Sequence, residues 1–446
     1  MTRWILLLIG ILIPVAGFPQ NTSRITFEEA LRLSLRQNID LQKARTGLSL
    51  QSQNLLREKA DFLPDLNLFA SPSQRYGLSF DQITGRVVQQ DVQAFSINAS
   101  SSLNLFNGFA DVATLQQARY QLASSRYQLK RTEQLTLSEV ARQFLQVILN
   151  QELIRIQEEN LTAQQEQLKQ IEAFVQAGAR PTADLYQQQA SVANAELQLI
   201  NARRDYEVSA MQLVKLLALN PAQEYTFEMP PLAENVRFQP YVLEDLIKRA
   251  YQLRPDLRAQ KYKIQATRQG IRAARAGYLP KVTLSANGGS NYTSLARQFN
   301  PALDFWEQLW NRNRGAVISL NIRLPLFDRF QTRSAVERAR VDFRNEQLTL
   351  ENLQREIALE IKQAYLDYET AWKRLDASEK QLKAARLALQ AMQERYHVGS
   401  ASLVELTKAR ADFVRASSER AQALYNFLFQ KKLLELQTGN LDAHIR

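Results

Sequence analysis

The 446-residue sequence has no cysteine and only two histidines, His397 and His444. Without cysteine the chain has no disulfide and no lipid-bearing cysteine of a lipoprotein. It also lacks a His-Glu-x-x-His pair and a phosphate-binding glycine loop, which are the usual marks of a zinc or nucleotide enzyme. We therefore expect no catalytic residue, no cofactor and no bound metal.

Long apolar runs are also missing, with one exception at the start of the chain. Arg3, the apolar stretch from Trp4 to Val15 and the small residues Ala16-Gly17 have the pattern of a secretory signal. The stretch is too short for a transmembrane helix, and no later segment is apolar over the roughly 18 residues that a helical span needs. We expect residues 1–17 to be a cleaved signal peptide; an uncleaved membrane anchor is the alternative.

Charge of one sign is not concentrated anywhere. The net charge is +11 and the isoelectric point about 9.7. Lys and Arg are spread through the sequence beside Glu and Gln and are not gathered with aromatic residues, so the pattern favours solvated helix surfaces over a nucleic-acid site.

Glycine and proline are absent from Phe109 to Ala177 and again from Phe330 to Val398. A helix of about 69 residues rises roughly 100 Å, so each needs a partner helix along its length. Apolar residues recur at seven-residue spacing, which predicts a left-handed supercoil. They are Val140, Val147, Ile154, Leu161, Leu168 and Val175 in the first helix, and Ile361, Tyr368, Leu375, Leu382, Leu389 and Tyr396 in the second. The second core position is polar (Gln151, Glu158, Gln165, Glu172), as in a wall with water on one side.

Both helices end at a glycine that predicts a turn, Gly178 and Gly399. Second helices free of Gly and Pro follow over 182–220 and 400–438. A further helix begins after the capping-box pattern Thr26-Phe27-Glu28-Glu29, and its counterpart begins at Leu243.

The same order of features occurs twice. Asn38-Ile39-Asp40-Leu41 returns as Arg254-Pro255-Asp256-Leu257 about 216 residues later, and later features return after about 221 residues. We expect a repeat over 18–220, a proline-rich linker over 221–242 and a second repeat over 243–440, each with a helix, two strands, a long helix and a return helix.

Alternating apolar and polar residues precede each long helix. The apolar positions are Phe95, Ile97, Ala99, Leu103 and Leu105, then Ile318, Leu320, Ile322, Leu324 and Leu326. The polar positions, which we expect to face a wet lumen, are Asn98, Ser100 and Ser102, then Ser319, Asn321 and Arg323. About ten alternating residues are typical of a transmembrane β-strand, although a soluble sheet shows the same alternation.

Partner strands are expected after Pro64 and Pro280, which makes four strands per chain. Four strands cannot enclose a lumen, so a barrel would have to be shared among subunits. In the loop over 294–314, Phe305, Trp306 and Trp310 fit either an aromatic belt at the membrane surface or packing within the loop.

Taken in this order, the signal peptide, the Leu-Pro before each first strand, the strand pairs and the glycine-terminated helices resemble the outer-membrane efflux proteins of the TolC family. The resemblance covers essentially the whole mature chain. It implies a mainly α fold with transmembrane β: a homotrimer whose twelve strands form one β-barrel in the outer membrane, continued by a periplasmic α-helical coiled-coil barrel. It also implies passive exit of substrates in a tripartite efflux or type I secretion system of a Gram-negative bacterium, with a periplasmic adaptor and an inner-membrane pump as partners.

The resemblance also implies site residues. Tyr396-His397-Val398-Gly399 matches the Tyr-x-Val-Gly turn at the family's periplasmic aperture, and Glu405 stands at the first acidic position. Lys408 replaces the second acid and Ala401 a gate arginine, so the aperture charges depart from the family pattern. Glu405 and Lys408 form either a latch between neighbouring subunits or an ordinary surface pair. The turns Gly178 and Val398-Gly399-Ser400 are the expected adaptor-docking points.

A structural or tethering coiled-coil protein of the cell envelope is the alternative function. It accounts for the heptads and the signal peptide but leaves the two alternating strand pairs unexplained.

Overall fold

The computed structural model describes residues 23–81, 85–89, 91–229 and 237–439. The predicted signal peptide, His444 and part of the predicted linker lie outside these residues. The strands are β1 (Ser23–Thr26), β2 (Asn67–Arg75), β3 (Leu78–Asp81), β4 (Arg86–Gln89), β5 (Val92–Asn107), β6 (Tyr225–Glu228), β7 (Lys281–Thr293) and β8 (Gly315–Arg323). The helices are α1 (Phe27–Gln37), α2 (Ile39–Ala60), α3 (Ala110–Gln176), α4 (Thr182–Leu216), α5 (Leu243–Leu253), α6 (Pro255–Arg275), α7 (Ser294–Phe299), α8 (Phe305–Glu307), α9 (Gln331–His397) and α10 (Leu403–Gln437).

The helices α3 and α9 each contain 67 residues, which confirms the prediction from the missing glycine and proline. The return helices α4 and α10 contain 35 residues each. All twelve heptad residues are buried or half-buried, whereas Gln151, Glu158 and Gln165 are exposed. The heptad stripe is therefore the packing face of each long helix. Within the described part of the chain, no helix combines the length and apolar character needed to cross a membrane.

The predicted strands form one antiparallel sheet in the order β2-β5-β7-β8. A strand follows each Leu-Pro pair, as expected. The strand β8 ends at Arg323, although the alternation of the sequence continues to Leu326. Pro325 has no N–H to donate, which explains why regular pairing stops before it.

Two small sheets were not predicted. The strands β1 and β6 pair in parallel, and β3 and β4 pair antiparallel in the segment between β2 and β5. Each of these strands has four residues, too few to show a periodicity. The pairing of β1 with β6 joins residues about 200 positions apart, a contact that local patterns do not encode.

The chain divides into two units. Unit 1 comprises the described parts of Met1–Leu41, Glu133–Leu246 and Ile361–Arg446, and unit 2 comprises those of Gln42–Thr132 and Ile247–Glu360. In unit 1 the buried Phe144 ring packs edge-on against Phe27 and Phe227, with centroids 5.4 and 6.1 Å away. The fully buried Tyr368 stacks on Phe427 at 5.3 Å. Unit 2 contains the four-stranded sheet.

Candidate functional site: the helix turns and the polar face of the sheet

The two glycine turns have the same backbone geometry. Gly178 has φ 72° and Gly399 has φ 77°, in the left-handed region that favours glycine. Gly399 N–H donates to the Tyr396 carbonyl at 3.1 Å, and Ser400 N–H donates to the Arg395 carbonyl at 2.8 Å. This is the Schellman pattern that ends a helix. A Cβ built on either glycine has no heavy atom within 4 Å, so both turns have free space around them.

Glu405, an expected aperture residue, caps the helix that follows the turn. Its carboxylate accepts a hydrogen bond from the Ser402 N–H at 2.8 Å, and its own N–H donates to Ser402 Oγ at 3.3 Å. The carboxylate also accepts a hydrogen bond from the Ser402 hydroxyl at 2.9 Å. The two bonds that the carboxylate accepts from Ser402 lower the pKa of the Glu405 carboxyl, and the charge of Arg395 lowers it further. This capping role was not predicted, although Ser402 followed three residues later by Glu405 is a capping-box pattern. Lys408, one turn further on, is exposed.

Tyr396, the other expected aperture residue, is buried, with 4% of its surface exposed. It packs with Ile171, Leu403 and Leu406. The Arg180 guanidinium lies over its ring, 4.6 Å from the centroid, and forms an ion pair with Asp184 at 3.7 Å. Burial raises the pKa of the Tyr396 hydroxyl, an effect that the charge of Arg180 opposes.

Arg180 therefore joins the α3–α4 turn to the end of α9 within unit 1. No local pattern indicates this contact, because the two residues are 216 positions apart and belong to different turns. Ala401, at the position of the expected gate arginine, is buried in the same cluster as Tyr396.

The surface of the second turn is apolar and exposed. Val398 is 78% exposed and Val404 66% exposed, and Gly399 and Ser400 are exposed between them. Large exposed aliphatic side chains at a helix end favour contact with another protein surface. His397, the last residue of α9, is exposed, and the described residues contain no group of His, Cys, Asp or Glu side chains able to hold a metal ion.

The strand residues expected to face the lumen share one face of the sheet. Directly paired residues point to the same side, and the pairing aligns polar positions across β5, β7 and β8. One row contains Ser102, Ser285 and Ser319, and the next contains Asn104, Thr283 and Asn321. Ser285 and Ser319 hydroxyls are 3.0 Å apart, and Asn321 donates to Ser285 at 3.2 Å.

The other positions of that polar pattern follow the same alternation. Asn98 pairs with Gly289, Ser100 with Asn287, and Arg323 with Lys281 at the end of β8. On the opposite face, two rows are entirely apolar: Leu103, Leu284 and Leu320, then Phe106, Val282 and Ile322. One face of the sheet is thus fit for water and the other for an apolar surrounding.

The aromatic residues of the 294–314 segment differ in how far they are exposed. Phe305 packs against the rings of Phe95 and Tyr292, with centroids 5.4 and 5.1 Å away. Trp306 and Trp310 are 62% and 61% exposed. Phe305 therefore belongs to the packing of the segment, and the two tryptophans remain available at the surface.

Helical hairpins of 67 and 35 residues joined to a sheet with one polar and one apolar face define the class of outer-membrane channel proteins. The crystal structure of the Campylobacter jejuni CmeC outer membrane channel has this fold, with a TM-score of 0.78 over 93% of this chain and 85% of that chain, at 17% identity.

The family model "Outer membrane efflux protein" matches residues 30–219 and 246–440, and the chain belongs to that family. It is 21% identical to the outer membrane efflux protein BepC of Brucella suis, over 94% of this chain and 86% of the relative. It is also 21% identical to the outer membrane protein TolC of Escherichia coli, over 99% and 87%. The resemblance to the TolC family is confirmed, and the chain is an outer membrane protein of a Gram-negative bacterium.

Proposed function

We propose that the chain is the outer-membrane channel of a tripartite efflux or type I secretion system and catalyses no reaction. Substrates leave passively through it, driven by an inner-membrane pump and delivered through a periplasmic adaptor. The single observation that carries this proposal is the polar face shared by Ser102, Ser285 and Ser319 with an apolar face behind it. The family match, and relatives named as efflux and export proteins, support the same function.

Three chains form the channel. The sheet has four strands, and its outer strands β2 and β8 each have one edge that pairs with no other strand among the described residues. Open strand edges are not stable in lipid, so the edges have to be closed by other copies. Three copies supply twelve strands, which together enclose a lumen lined by Asn98, Ser100, Ser102, Ser319, Asn321 and Arg323.

The chain is built from two repeats, 18–220 and 243–440, joined by a linker over 221–242 and preceded by a signal peptide over 1–17. Support comes from the equal lengths of α3 and α9 and of α4 and α10. The family model also matches in two segments that correspond to these repeats.

The turns at Gly178 and at Val398, Gly399 and Ser400 are the docking points for the adaptor, and Tyr396, Glu405 and Lys408 belong to the periplasmic aperture. The exposed Val398 and the free space around both glycines suit a contact with another protein. The alternative function, a coiled-coil tether, does not account for a sheet with one polar and one apolar face.

Purification in mild detergent and reconstitution in planar bilayers test the channel. We expect a trimer by light scattering and discrete conductance steps. Arg323→Glu should shift the ion selectivity toward cations, because three charges are reversed in the lumen. Arg268→Glu, which changes an exposed arginine on α6, should leave the selectivity unchanged. A stable monomer without conductance would exclude the channel and favour the tether.

A further inference from the structure

The segment over 294–314 connects β7 to β8 at the end of the sheet that lies away from the long helices. At the other end of the sheet, β5 leads into α3 and β8 leads toward α9. The segment contains α7, α8 and a π-helical turn over Gln308–Arg312. A single π-helical turn is rare and is often found where a side chain has a function.

Hydrogen bonds to β7 fix the position of this segment. Gln308 is almost fully buried, and its side-chain oxygen accepts a bond from the Thr293 N–H at 3.0 Å. Its side-chain nitrogen donates to the Leu303 carbonyl at 2.8 Å, within the segment itself. The Asn313 amide donates to the Asn291 carbonyl at 2.7 Å. The segment is therefore tied to the last residues of β7.

The ring of Phe305 shows which face of the sheet the segment covers. It packs against Phe95 and Tyr292, which are directly paired and therefore point to the same side. Alternation along β5 puts Phe95 on the side of Leu103 and opposite Ser102. The segment therefore lies on the apolar face of the sheet and not on the polar face that we assign to the lumen.

The two tryptophans lie on the opposite side of the segment from the sheet. Gln308 and Leu309 are buried, whereas Trp306 and Trp310 are exposed. Residues four apart lie on the same side of a helical turn, so the two indole rings share one surface. Trp306 also packs edge-on against Phe305, with centroids 5.2 Å apart. The indole surface thus continues the apolar face of the sheet outward.

The place of the segment on the sheet distinguishes lipid from another copy of the chain. The contacts described above all involve β5 and β7, the two central strands. Within the described part of the chain, the edges left unpaired belong to β2 and β8, and the proposed barrel joins neighbouring copies there. The outer side of the central strands faces lipid in that barrel. Indole combines a large apolar ring with one N–H donor and is enriched at the level of the lipid headgroups.

We infer that Trp306 and Trp310 anchor the segment 294–314 in the headgroup layer of the outer leaflet, on the outside of the barrel. The inference rests on the proposed function, in which the end of the sheet away from the long helices is extracellular. Phe305 holds the segment against the apolar face, and the two indole rings contact lipid. The segment is then an external membrane anchor and does not cover the lumen.

Quenching of tryptophan fluorescence by brominated lipids tests this inference on the full chain in phosphatidylcholine vesicles. Trp4→Phe and Trp372→Phe together leave Trp306 and Trp310 as the only tryptophans of the sequence. Their emission should fall most in lipids brominated near the headgroup and less in lipids brominated near the chain ends, because indole rings prefer the headgroup level.

A matched control keeps Trp372 and carries Trp4→Phe, Trp306→Phe and Trp310→Phe. Trp372 belongs to α9 in unit 1, whereas the sheet belongs to unit 2, so neither brominated lipid should quench its emission. Phe305→Ala, added to the variant that keeps Trp306 and Trp310, should reduce the quenching by lipid, because the ring that holds the segment on the sheet is lost.

Emission from Trp306 and Trp310 that is as insensitive to both lipids as the control would overturn the lipid contact. Quenching by acrylamide would then assign the two residues to water, and protection from acrylamide would assign them to a contact with another copy. Stronger quenching from the chain ends would overturn the headgroup placement, and quenching unchanged by Phe305→Ala would overturn the role of that ring. Conductance in planar bilayers without lipid quenching would overturn the anchor and leave the channel, whereas lipid quenching without conductance would do the reverse.

Discussion

Four charged residues of unit 2 show how one side chain can anchor a long helix. Arg254, 1% exposed, forms ion pairs with Asp256 at 2.6 Å and with Glu360 of α9 at 2.7 Å. Arg131 of α3 approaches Asp256 at 3.4 Å. In the first half the same position is Asn38, which donates to the Leu216 carbonyl at 3.1 Å. The first half therefore has a neutral hydrogen bond at this position, where the second half has ion pairs.

Removal of this anchor should destabilise the fold. Arg254→Met leaves the half-buried Asp256 without its main partner, whereas Glu360 is exposed and water can solvate it; breaking a largely buried pair typically costs about 3 kcal/mol. The thermal unfolding midpoint, followed by circular dichroism, should fall by several degrees. Arg254 directly precedes α6, and Arg258→Met, at an exposed position in the first turn of that helix, is the control and should change the midpoint little. Equal midpoints for the two variants would contradict the anchoring role.

The same experiment has a defined pH dependence. Burial alone would raise the pKa of the Asp256 carboxyl, but the bonds from Arg254 and the charge of Arg131 hold it below its ordinary value. Ionised Asp256 therefore stabilises the folded chain fully above the pKa of about 3.9 that its carboxyl has in the unfolded chain. This stabilisation is lost as the pH falls through the lower pKa of the same carboxyl in the folded chain. The difference between wild type and Arg254→Met should be constant from about pH 8 to pH 5 and should narrow only below about pH 4.

At the scale of elements, a substitution at Gly399 distinguishes backbone strain within the chain from disturbed contact with an external surface. The glycine has a left-handed backbone and no neighbour within 4 Å of a built Cβ. A larger residue therefore introduces only backbone strain of the order of 1 kcal/mol and no clash inside the chain. Any larger effect has to come from a surface that approaches the turn from outside.

If the turn is the proposed docking point, Gly399→Val should leave the trimer yield near normal and lower export, because the larger side chain would disturb the proposed adaptor contact. Accumulation of a fluorescent efflux dye in cells that carry the variant measures export. Gly47→Val is the control: Gly47 lies within α2, also has no neighbour within 4 Å, and does not have a left-handed backbone. Normal export by Gly399→Val would count against docking at this turn.

At the scale of the whole molecule, the proposed trimer repeats the charges of the proposed aperture three times. Glu405 already caps its own helix through Ser402, whereas Lys408 is exposed one turn later. The two residues either attract their counterparts in neighbouring chains or act as ordinary surface charges. Exposed ion pairs contribute up to about 1 kcal/mol each, so three of them could hold a narrow mouth closed.

Lys408→Glu distinguishes these possibilities. If the pairs close the mouth, the variant should increase the single-channel conductance in planar bilayers and make it sensitive to divalent cations, because acidic groups then converge on the axis. Lys383→Glu reverses an exposed charge on α9 and serves as the control. An unchanged, cation-insensitive conductance would leave Glu405 and Lys408 as surface charges.

Sequence by itself determined the parts of this protein that depend on local rules. The 67-residue helices follow from the absence of glycine and proline, the turns from Gly178 and Gly399, and the two faces of the strands from alternation. Tertiary structure alone decided the contacts between distant residues. Arg180 on Tyr396, Arg254 on Glu360 and the pairing of Ile25 with Phe227 join positions that no periodicity connects. Such contacts depend on how packed elements meet, and a residue's neighbours along the chain do not specify that.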